Sequence, residues 1–443
     1  MQKNDQFIGI CVGYNTDGLG IVKHEGLVFF VKNILRNEEG KIVITSMKKN
    51  YGFGKCLEIL KPSDNRVQPN CSIYKNCGGC QLQHMNNIEQ KFFKHQKVKD
   101  CFKSIGHMEP LIHEPLVMDN PYRYRNKVQV PIQFNNQKLE VGFYRNHTHE
   151  IIEFDDCLVQ TECSNKIVQE CKLLIQKYNL ENNFKHLLIK HAHRTNEVMV
   201  VFIVNKYPLK GIEELKNELL TMFSNIKSIQ VNINPREDNV ILSNDEVSLT
   251  TDKVIQEKLH DFKFNISSKS FYQINPDQTQ VLYDKAIEYA DINENDTVVD
   301  LYCGTGTIGI FASRNASKVI GIEIVPEAIE DAKKNAMLNN CNNIEFICAD
   351  AKDGAIEILK RNETIDVVLV DPPRKGCDEI TLESIVKMNP KRIVYVSCDP
   401  STLARDCARL EQMGYHVIEV QPVDMFPFTH HVETVVLMSR VDK

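Results

Sequence analysis

The spacing of hydrophobic and polar positions changes twice along the chain. Residues 6–60 hold short apolar runs between turn-forming residues, for example Leu27–Val31 after a glycine turn. Four or five such strands in so short a segment predict a small β-barrel of the OB type. Residues 87–105 have helical spacing with a basic face. Residues 120–265 alternate strands with helical patterns near 161–178 and 211–223.

From about residue 275 the pattern becomes a regular alternation of strands and helices. Apolar, β-branched runs predict strands at 297–301, 318–323, 344–347, 365–370, 392–396, 416–420 and 434–438. Helical segments separate most of them, which predicts a doubly wound α/β domain with a mostly parallel sheet. We therefore expect a multidomain protein of β and α/β class. It has an OB-like barrel (1–60), an α+β central domain (61–265) and a Rossmann-like domain (266–443), and the segment near 88–120 is a candidate for packing on the third.

Composition narrows the class of protein further. The 443 residues are 42% hydrophobic and 25% charged, which excludes global disorder. No apolar stretch is long enough to span a membrane and the N-terminus lacks a secretory h-region, so we expect a cytoplasmic protein. The net charge is −6, but residues 1–150 hold 21 Lys and Arg against 14 Asp and Glu. A basic N-terminal part on an acidic remainder indicates one face for a polyanion, although charge also varies along chains without function.

A cofactor site is predicted at the carboxyl ends of the parallel strands. An apolar strand runs into a turn with Gly304 and Gly306, which let backbone approach a ligand closely. Glu323 ends the second strand, and Asp350 and Asp371 follow the third and fourth, where open α/β sheets bind ligands. The turn reads D-x-x-C-G-x-G, which fits S-adenosylmethionine (AdoMet) better than a dinucleotide with a pyrophosphate. The alternative is a plain turn with acidic caps.

A nucleophile and a base are predicted at the same sheet edge. Cys398 follows the strand at 392–396 and precedes Pro400, where a helix begins. The helix N-terminus is expected to favour the thiolate, which suits a nucleophile. Glu433 stands where the last strand starts and is a candidate general base. The alternatives are a buried spectator cysteine and a surface glutamate.

Six motifs in order resemble the RNA uracil-C5 methyltransferases that use AdoMet. The N-terminal segment also resembles the TRAM domain, an OB-type RNA-binding module of many members, so the likeness covers nearly the whole chain. The motifs are Phe271-Tyr-Gln-Ile-Asn, Asp300-Leu-Tyr-Cys-Gly-Thr-Gly-Thr, Gly321-Ile-Glu, Asp371-Pro-Pro-Arg-Lys-Gly, Ser397-Cys-Asp-Pro and His431-Val-Glu-Thr-Val.

The resemblance implies a role for each candidate residue. Cys398 would be the nucleophile and Glu433 the base. One departure is Asp399, where many members carry Asn; a carboxylate there would oppose thiolate formation unless it points away. The implied AdoMet contacts are Gln273, Tyr302, Glu323 and Asp371, with Asp350 as a lesser candidate.

Uracil chemistry accounts for these residue types. C5 of uracil is too weakly nucleophilic to take a methyl group directly, and a thiolate that adds to C6 makes C5 enolate-like. A base then removes the C5 proton and elimination frees the cysteine. Because a stacked base hides C6, the uridine must flip out, and single-stranded loops of RNA are the natural targets.

Three cysteines crowd one Gly- and Pro-rich loop: Cys71, Cys77 and Cys80. The chain has fifteen cysteines, and a disulfide framework is not expected in a cytosolic protein, so the cluster predicts a metal with a fourth ligand elsewhere. The resemblance favours Cys157 and a [4Fe–4S] cluster, with zinc as the rival. The spacing of radical-AdoMet enzymes is absent, so we expect a structural or RNA-orienting role. The candidates for the fourth ligand are Cys56, Cys101, Cys157 and Cys163.

The sequence therefore predicts an RNA-binding enzyme that methylates uridine C5. Family members with both accessory parts mostly act on 23S ribosomal RNA, which is the expected substrate; a T-loop uridine of tRNA is the alternative. A non-catalytic, cluster-carrying RNA-binding protein is the alternative of another class, and DNA is a third substrate. A monomer suffices for this mechanism, and no membrane partner is expected.

Overall fold

The N-terminal segment forms a closed five-stranded barrel, as predicted. The computed structural model describes residues 1–146 and 148–440. Alternate residues of the strands point inward, among them Phe7, Val22, Phe29 and Ile42, and they fill the barrel core. The strand order around the barrel is β1-β2-β3-β5-β4. The strands are β1 (Gln6–Tyr14), β2 (Gly20–His24), β3 (Leu27–Lys32), β4 (Glu39–Met47) and β5 (Tyr51–Lys61).

A helix and a two-residue strand connect the barrel to the rest of the molecule. Helix α1 (Asn87–Ser104) begins at the N-cap Asn86, whose side chain accepts a hydrogen bond from the amide of Glu89. It packs on a helix at 400–412, and β6 (Leu111–Ile112) pairs with residues 419 and 420. The segment near 88–120 thus lies against the C-terminal part of the chain, although a β-sheet domain follows it in sequence.

That central part is a seven-stranded sheet with two helices. Its strand order is β13-β12-β11-β10-β7-β8-β9. Strand β11 is apolar at every position and fully buried because it is covered on both faces. The elements are β7 (Lys127–Asn135), β8 (Lys138–Tyr144), β9 (Ile151–Glu153), α2 (Glu162–Lys177), β10 (Phe184–His191), β11 (Val198–Val204), α3 (Ile212–Met222), β12 (Ile226–Ile233) and β13 (Glu246–Ser248).

The C-terminal part is the predicted, mostly parallel sheet. A separate hairpin of β14 (Ile255–Leu259) and β15 (Phe262–Ile266) precedes it; the sequence pattern did not resolve this hairpin. The further elements are α4 (Pro276–Ala290), β16 (Thr297–Leu301), α5 (Thr307–Ser313), β17 (Lys318–Glu323), α6 (Pro326–Leu338), β18 (Ile344–Cys348), α7 (Ala351–Lys360), β19 (Val367–Val370), α8 (Glu379–Met388), β20 (Arg392–Ser397), α9 (Pro400–Gln412), β21 (Tyr415–Val423) and β22 (Glu433–Arg440).

The order of this sheet decides where its functional residues meet. It runs β18-β17-β16-β19-β20-β22-β21-β6. Strands β16 to β20 are parallel, whereas β22 runs antiparallel between β20 and β21. The start of β22 therefore lies at the edge where the parallel strands end. Across the described ranges, none of the helices combines the length and apolar character that crossing a membrane requires.

The barrel is joined to α1 by one buried carboxylate. Glu89 accepts hydrogen bonds from the Tyr14 hydroxyl (2.7 Å), the Arg36 guanidinium (3.2 Å) and the Asn65 amide (2.8 Å). It is 1% exposed. A carboxylate buried this fully is stabilised only while these donors remain in place. Glu89 therefore fixes the barrel on the helix that packs against the C-terminal part.

We expect Glu89→Ala to loosen this junction by roughly 2–4 kcal/mol, because it leaves buried donors and the Arg36 charge without their acceptor. Hydrogen exchange measures the effect: the amide of Arg36, which donates to the Tyr14 hydroxyl, should exchange faster. Glu58→Ala, an exposed glutamate of β5, is the matched control and should leave exchange unchanged. Equal exchange at Arg36 in both variants would contradict this role of Glu89.

Candidate active site

The sheet register brings Cys398 and Glu433 together. Ser397, the last residue of β20, pairs with Thr434 of β22. Cys398 directly follows Ser397 and Glu433 directly precedes Thr434, so both lie at the same sheet edge. In the neighbouring strand Val370 pairs with Tyr395, which places Asp371 at that edge as well. Three residues that are far apart in sequence thus share one recess.

The two carboxyl groups of the recess are held partly protonated. Glu433 is 3% exposed, and burial, followed by the nearby Asp371, raises its pKa to about 8, while Arg374 opposes the rise. Part of Asp371 remains accessible, but its carboxyl lies deep in the recess and desolvation raises its pKa to about 7. Two like charges this close disfavour each other. A carboxyl with a pKa near the working pH suits proton transfer.

Cys398 differs from the sequence prediction in its protonation. Burial, then the charges of Glu433 and Asp371, raise its pKa to about 11, and Arg374 opposes them. The expectation of a thiolate favoured by the helix N-terminus is therefore wrong for this site as it stands. The free amides of that terminus are already used, and the two carboxyl groups facing the thiol could not be known from the local sequence.

Asp399 points away from the thiol, because it caps α9. Its Oδ1 accepts hydrogen bonds from the amides of Ser401 (2.8 Å) and Thr402 (3.3 Å). Asp and Asn are equally good at this N-cap position. Asp399 therefore caps the helix as an Asn would. The charge of Asp399 raises the pKa of Cys398 less than the charges of Glu433 and Asp371 do.

The glycine turn after β16 has the backbone that a close ligand needs. Tyr302, Gly304 and Gly306 all have positive φ, and a Cβ placed on Gly304 would meet open space. Glu323 holds the turn: its Oε2 accepts from the amide of Gly304 (3.1 Å) and its Oε1 from the amide of Val325 (3.0 Å). Each oxygen keeps a further lone pair for hydroxyl donors of a ligand.

Asp300 is a site residue that sequence reasoning missed, although it opens one of the quoted motifs. It is buried, and its Oδ2 accepts from the amide of Gly309 (2.9 Å). Its Oδ1 is buried without a hydrogen-bond partner in the described part of the chain. Burial and Asp371 raise the pKa of Asp300 to about 8. An orphaned buried acceptor beside an open glycine turn fits a ligand that donates hydrogen bonds or carries positive charge.

The other three predicted cofactor contacts, Gln273, Tyr302 and Asp350, lie in different surroundings. Gln273 is buried, and its carbonyl accepts from the side-chain amide of Asn126 (2.8 Å), which links the segment after the β15 hairpin to the central sheet. The half-buried Tyr302 packs against the core beside Cys377. Asp350 caps α7 through the amide of Lys352 (3.2 Å). Asp350 is thus already engaged in a structural contact.

Four cysteines from two segments line one cavity of about 400 Å³: Cys71, Cys77, Cys80 and Cys157. Burial raises the pKa of Cys80 to about 12 and that of Cys157 to about 11, so both are neutral thiols without a cation. Three other candidates lie elsewhere, Cys56 in the barrel core, Cys101 on α1 and Cys163 on α2.

The four cysteines share one cavity, but their side chains are not gathered around a single metal position. Across residues 1–146 and 148–440, no group of three or more His, Cys, Asp or Glu side chains is drawn together closely enough to hold a metal ion. A cavity of about 400 Å³ is far larger than one ion needs. Arg125 and Lys127 also line it and would offset the negative charge of thiolates.

Known proteins resemble the chain along its whole length. A Clostridium tetani protein named as an uncharacterized RNA methyltransferase is 45% identical over 447 residues, covering 99% of this chain and 97% of that protein. A Bacillus cereus protein of the same description is 45% identical over 452 residues, covering 100% and 98%.

A solved structure matches nearly the whole fold. It is the Pyrococcus abyssi tRNA (uracil-54, C5)-methyltransferase in complex with S-adenosyl-L-homocysteine, with a TM-score of 0.77 and 26% identity, covering 98% of this chain and 100% of that one. The family model for tRNA (uracil-5-)-methyltransferase matches residues 86–441. That range includes α1, Cys157 and the recess of Cys398 and Glu433, whereas Cys71, Cys77 and Cys80 precede it. The chain is a member of this RNA uracil-C5-methyltransferase family.

Proposed function

We propose that this protein transfers a methyl group from AdoMet to C5 of a uridine in 23S ribosomal RNA through a covalent adduct with Cys398. The observation that carries the proposal is the register of β20 and β22, which sets Cys398 beside Glu433 in one recess. A nucleophile for C6 and a base for the C5 proton are the two groups that this chemistry requires.

Each residue of the recess has one task in this mechanism. Cys398, which is partly exposed, loses its proton to water and forms a bond from Sγ to C6 of the flipped-out uridine, and the electron pair of the C5–C6 double bond moves so that C5 becomes nucleophilic. After C5 has gained the methyl group, Glu433 removes the C5 proton, and the Sγ–C6 bond breaks. The raised pKa of Glu433 suits this transfer, because a more basic carboxylate accepts a carbon-bound proton more readily. The negative recess also means that the thiol ionises only when positive charge is brought in.

The fit of AdoMet rests on the polar atoms that lack partners and on the open turn. Glu323 would accept ribose hydroxyls, and Gln273, Tyr302 and Asp371 would complete the site, with the buried Oδ1 of Asp300 facing donor groups. Asp350 is the lesser candidate, because one of its carboxylate oxygens already caps α7. AdoMet supplies an electrophilic methyl group on a sulfonium, and a recess with three acidic groups favours that positive charge.

The choice of 23S RNA rests on the resemblance to members that combine a TRAM barrel with a cysteine cluster. The Pyrococcus abyssi enzyme, which acts on a tRNA uridine, matches this chain over 98% of its length. A barrel is therefore compatible with tRNA too, and a tRNA uridine is the second candidate. One chain contains every residue that the mechanism uses, so we propose a monomer.

We assign RNA binding by the barrel to an aromatic face. Phe30 and Phe53 are paired neighbours on β3 and β5; their ring centroids lie 5.8 Å apart, and each lies 5.7 Å from that of Tyr51. The exposed, mutually paired Lys32 and Lys55 flank them. Aromatic rings with nearby cations stack bases and neutralise phosphates, whatever the sequence of the strand. Residues 1–60 would then be the TRAM domain, followed by the central (61–265) and methyltransferase (266–443) domains.

We also propose that the cysteine pocket holds a [4Fe–4S] cluster through Cys71, Cys77, Cys80 and Cys157, rather than zinc. Burial keeps Cys80 and Cys157 neutral when no cation is present. A bound metal would deprotonate all four thiols, because metal binding releases protons from cysteine ligands. The cluster would tie the loop of residues 71–80 to residue 157 and serve structure.

Tritium release from C5-tritiated uridine tests the function. With AdoMet and anaerobically purified protein we expect release from 23S RNA and not from tRNA. Cys398→Ala should abolish it, and Glu433→Gln should slow it by about 10²–10⁴-fold, because proton removal loses its base. The rate should rise as the pH passes through 8, because Glu433 acts as a carboxylate and its pKa is about 8, and it should go on rising above that pH because the pKa of Cys398 is about 11. Cys348→Ala, an exposed cysteine, is the control.

Three results would revise this assignment in different ways. Release from tRNA alone would keep the reaction and replace the substrate. Undiminished release by Cys398→Ala would overturn the covalent mechanism. Absence of release from either RNA would favour the non-catalytic RNA-binding protein.

We expect Tyr51→Ala combined with Phe53→Ala to weaken binding to a single-stranded RNA by about 1–3 kcal/mol per lost stacking contact. Filter binding at two salt concentrations measures it: the salt dependence should stay the same, because the lysines remain. The paired variant Ile8→Ala and Ile10→Ala, on the exposed face of β1, is the control. Equal affinities for all proteins would rule out stacking on this face.

Cys157→Ala should remove most of the iron that the anaerobically purified protein contains, because it takes away one of four thiolates. Iron, sulfide and zinc analysis with the visible absorption spectrum measures this. Cys163→Ala, six residues away on α2 and partly buried like Cys157, is the matched control and should keep its iron. Zinc at one equivalent with no iron would replace the cluster by the rival metal.

A further inference from the structure

The loop that leads into Glu433 is held from outside its own sheet. Residues 424–432 connect β21 to β22, and Glu433 is the first residue of β22. Helix α1 grips this loop twice: Lys94 binds the Asp424 carboxylate and the carbonyl of Phe426, and Lys97 donates to the carbonyl of His430 (2.8 Å). Lys94 is fully buried, so this grip is part of the core.

A second set of contacts holds the backbone of Phe428, and most of it comes from the residues that directly follow Cys80 in the cysteine loop (residues 71–82). The carbonyl of Phe428 accepts hydrogen bonds from the amides of Gln81 and Leu82, both at 2.9 Å. Its amide donates to the side-chain oxygen of Gln90 (2.9 Å). Gln81 directly follows Cys80 of the pocket. The backbone of Phe428 is thus tied to the residue next to a pocket cysteine.

The backbone of Phe428 is also strained. Its φ is +66°, in the left-handed region that non-glycine residues rarely adopt. Such a conformation persists only where the surroundings hold it. The three hydrogen bonds of its amide and carbonyl are the contacts that hold it here, and two of them belong to the cysteine loop.

The ring of Phe428 completes the connection. It is 5% exposed and packs in one cluster with Tyr124 and Val159, with Cys80 and Cys157 at the edge of that cluster. The ring centroid of Tyr122 lies 5.2 Å away. Two of the four pocket cysteines thus touch the same apolar cluster as the ring whose backbone leads to Glu433.

We propose that Phe428 is a positioning residue that couples the occupied cysteine pocket to the placement of Glu433. The inference rests on the proposed function for the role of Glu433 and of the pocket. When the pocket is filled, the loop after Cys80 is fixed, and its two amides hold Phe428 in the strained conformation. When the pocket is emptied, those amides move, Phe428 relaxes, and Glu433, five residues later, loses its position.

The nucleophile is anchored separately, which makes the proposal distinguishable. Cys398 lies between β20 and α9, where Asp399 caps the helix. None of the hydrogen bonds described for Phe428 reaches that turn. Loss of the Phe428 grip is therefore expected to affect proton removal by Glu433 and to leave addition by Cys398 and methyl transfer intact.

5-Fluorouridine RNA separates these two steps. Cys398 adds to C6 and C5 takes the methyl group, but the fluorine at C5 cannot leave as a cation, so no base completes the reaction and the Sγ–C6 adduct persists. Phe428→Ala should lower tritium release from uridine RNA by about 10- to 100-fold. It should leave the rate of adduct formation with 5-fluorouridine RNA at or above that of the wild type, because a displaced Glu433 charge no longer raises the pKa of Cys398; a denaturing gel measures this rate.

The matched control is Phe184→Ala, a phenylalanine of the central sheet that is buried to the same degree (4% exposed). This substitution removes the same side-chain atoms at a position outside the loop of residues 424–432, so tritium release should stay near that of the wild type. Parallel loss of release and trapping in Phe428→Ala would overturn the positioning role. Failure of the wild-type protein to form the adduct would instead overturn the proposed function.

Hydrogen exchange tests the coupling without activity. Removing iron from the wild-type protein with a chelator should speed exchange at the amides of Gln81, Leu82 and Phe428 by at least about tenfold. In Phe428→Ala, exchange at Gln81 and Leu82 should be fast before chelation and change little after it. Unchanged wild-type exchange after complete loss of iron would overturn the coupling, whereas wild-type protein purified without iron would overturn the cluster assignment.

Discussion

The antiparallel insertion of β22 between β20 and β21 is the constraint on which the rest of the site depends. In a strand, side chains alternate between faces, so a slip of one residue would turn Glu433 to the other side of the sheet. The pairing of Ser397 with Thr434 excludes that slip, because β22 is bonded on both sides. A buried strand with two partners holds its residues rigidly, as the proposed role of Glu433 as a base for one carbon-bound proton requires.

The burial that holds Glu433 in place also disfavours negative charge in the recess, and this favours a cationic ligand. Asp300, Asp371 and Glu433 have pKa values raised to about 7 or 8, and the pKa of Cys398 is raised as well. A recess that disfavours its own negative charges binds a cation more tightly than a neutral molecule. A sulfonium is cationic and the thioether left after methyl transfer is neutral. The same charges that suppress the thiolate of Cys398 therefore favour binding of the methyl donor over the spent product.

The local pattern of the sequence was sufficient to predict the strands, but it could not predict contacts between segments that are distant in sequence. Short apolar runs between turn residues predicted the barrel, and continuous apolar, β-branched runs predicted the strands of the C-terminal sheet, since both signals lie within a few consecutive residues. The protonation of Cys398 could not be predicted, because it depends on Glu433, which comes close only through the sheet. The role of Asp300 was missed although its motif was recognised, because only the fold shows that one of its oxygens is buried without a partner.

Helix α1 connects the N-terminal barrel to the C-terminal sheet at three places along its length. Its first turn holds the barrel through Glu89, its middle holds the loop before Glu433 through Lys94, and its far end packs on α9 next to the turn of Cys398. One rigid helix thus contacts the RNA-binding candidate and both sides of the recess. Helix α1 helps to fix the barrel relative to the recess, so an RNA bound by the barrel as proposed would meet the recess at a set distance and orientation. In the proposed mechanism, positioning of this kind would lower the entropy that the target uridine must lose before Cys398 reaches it.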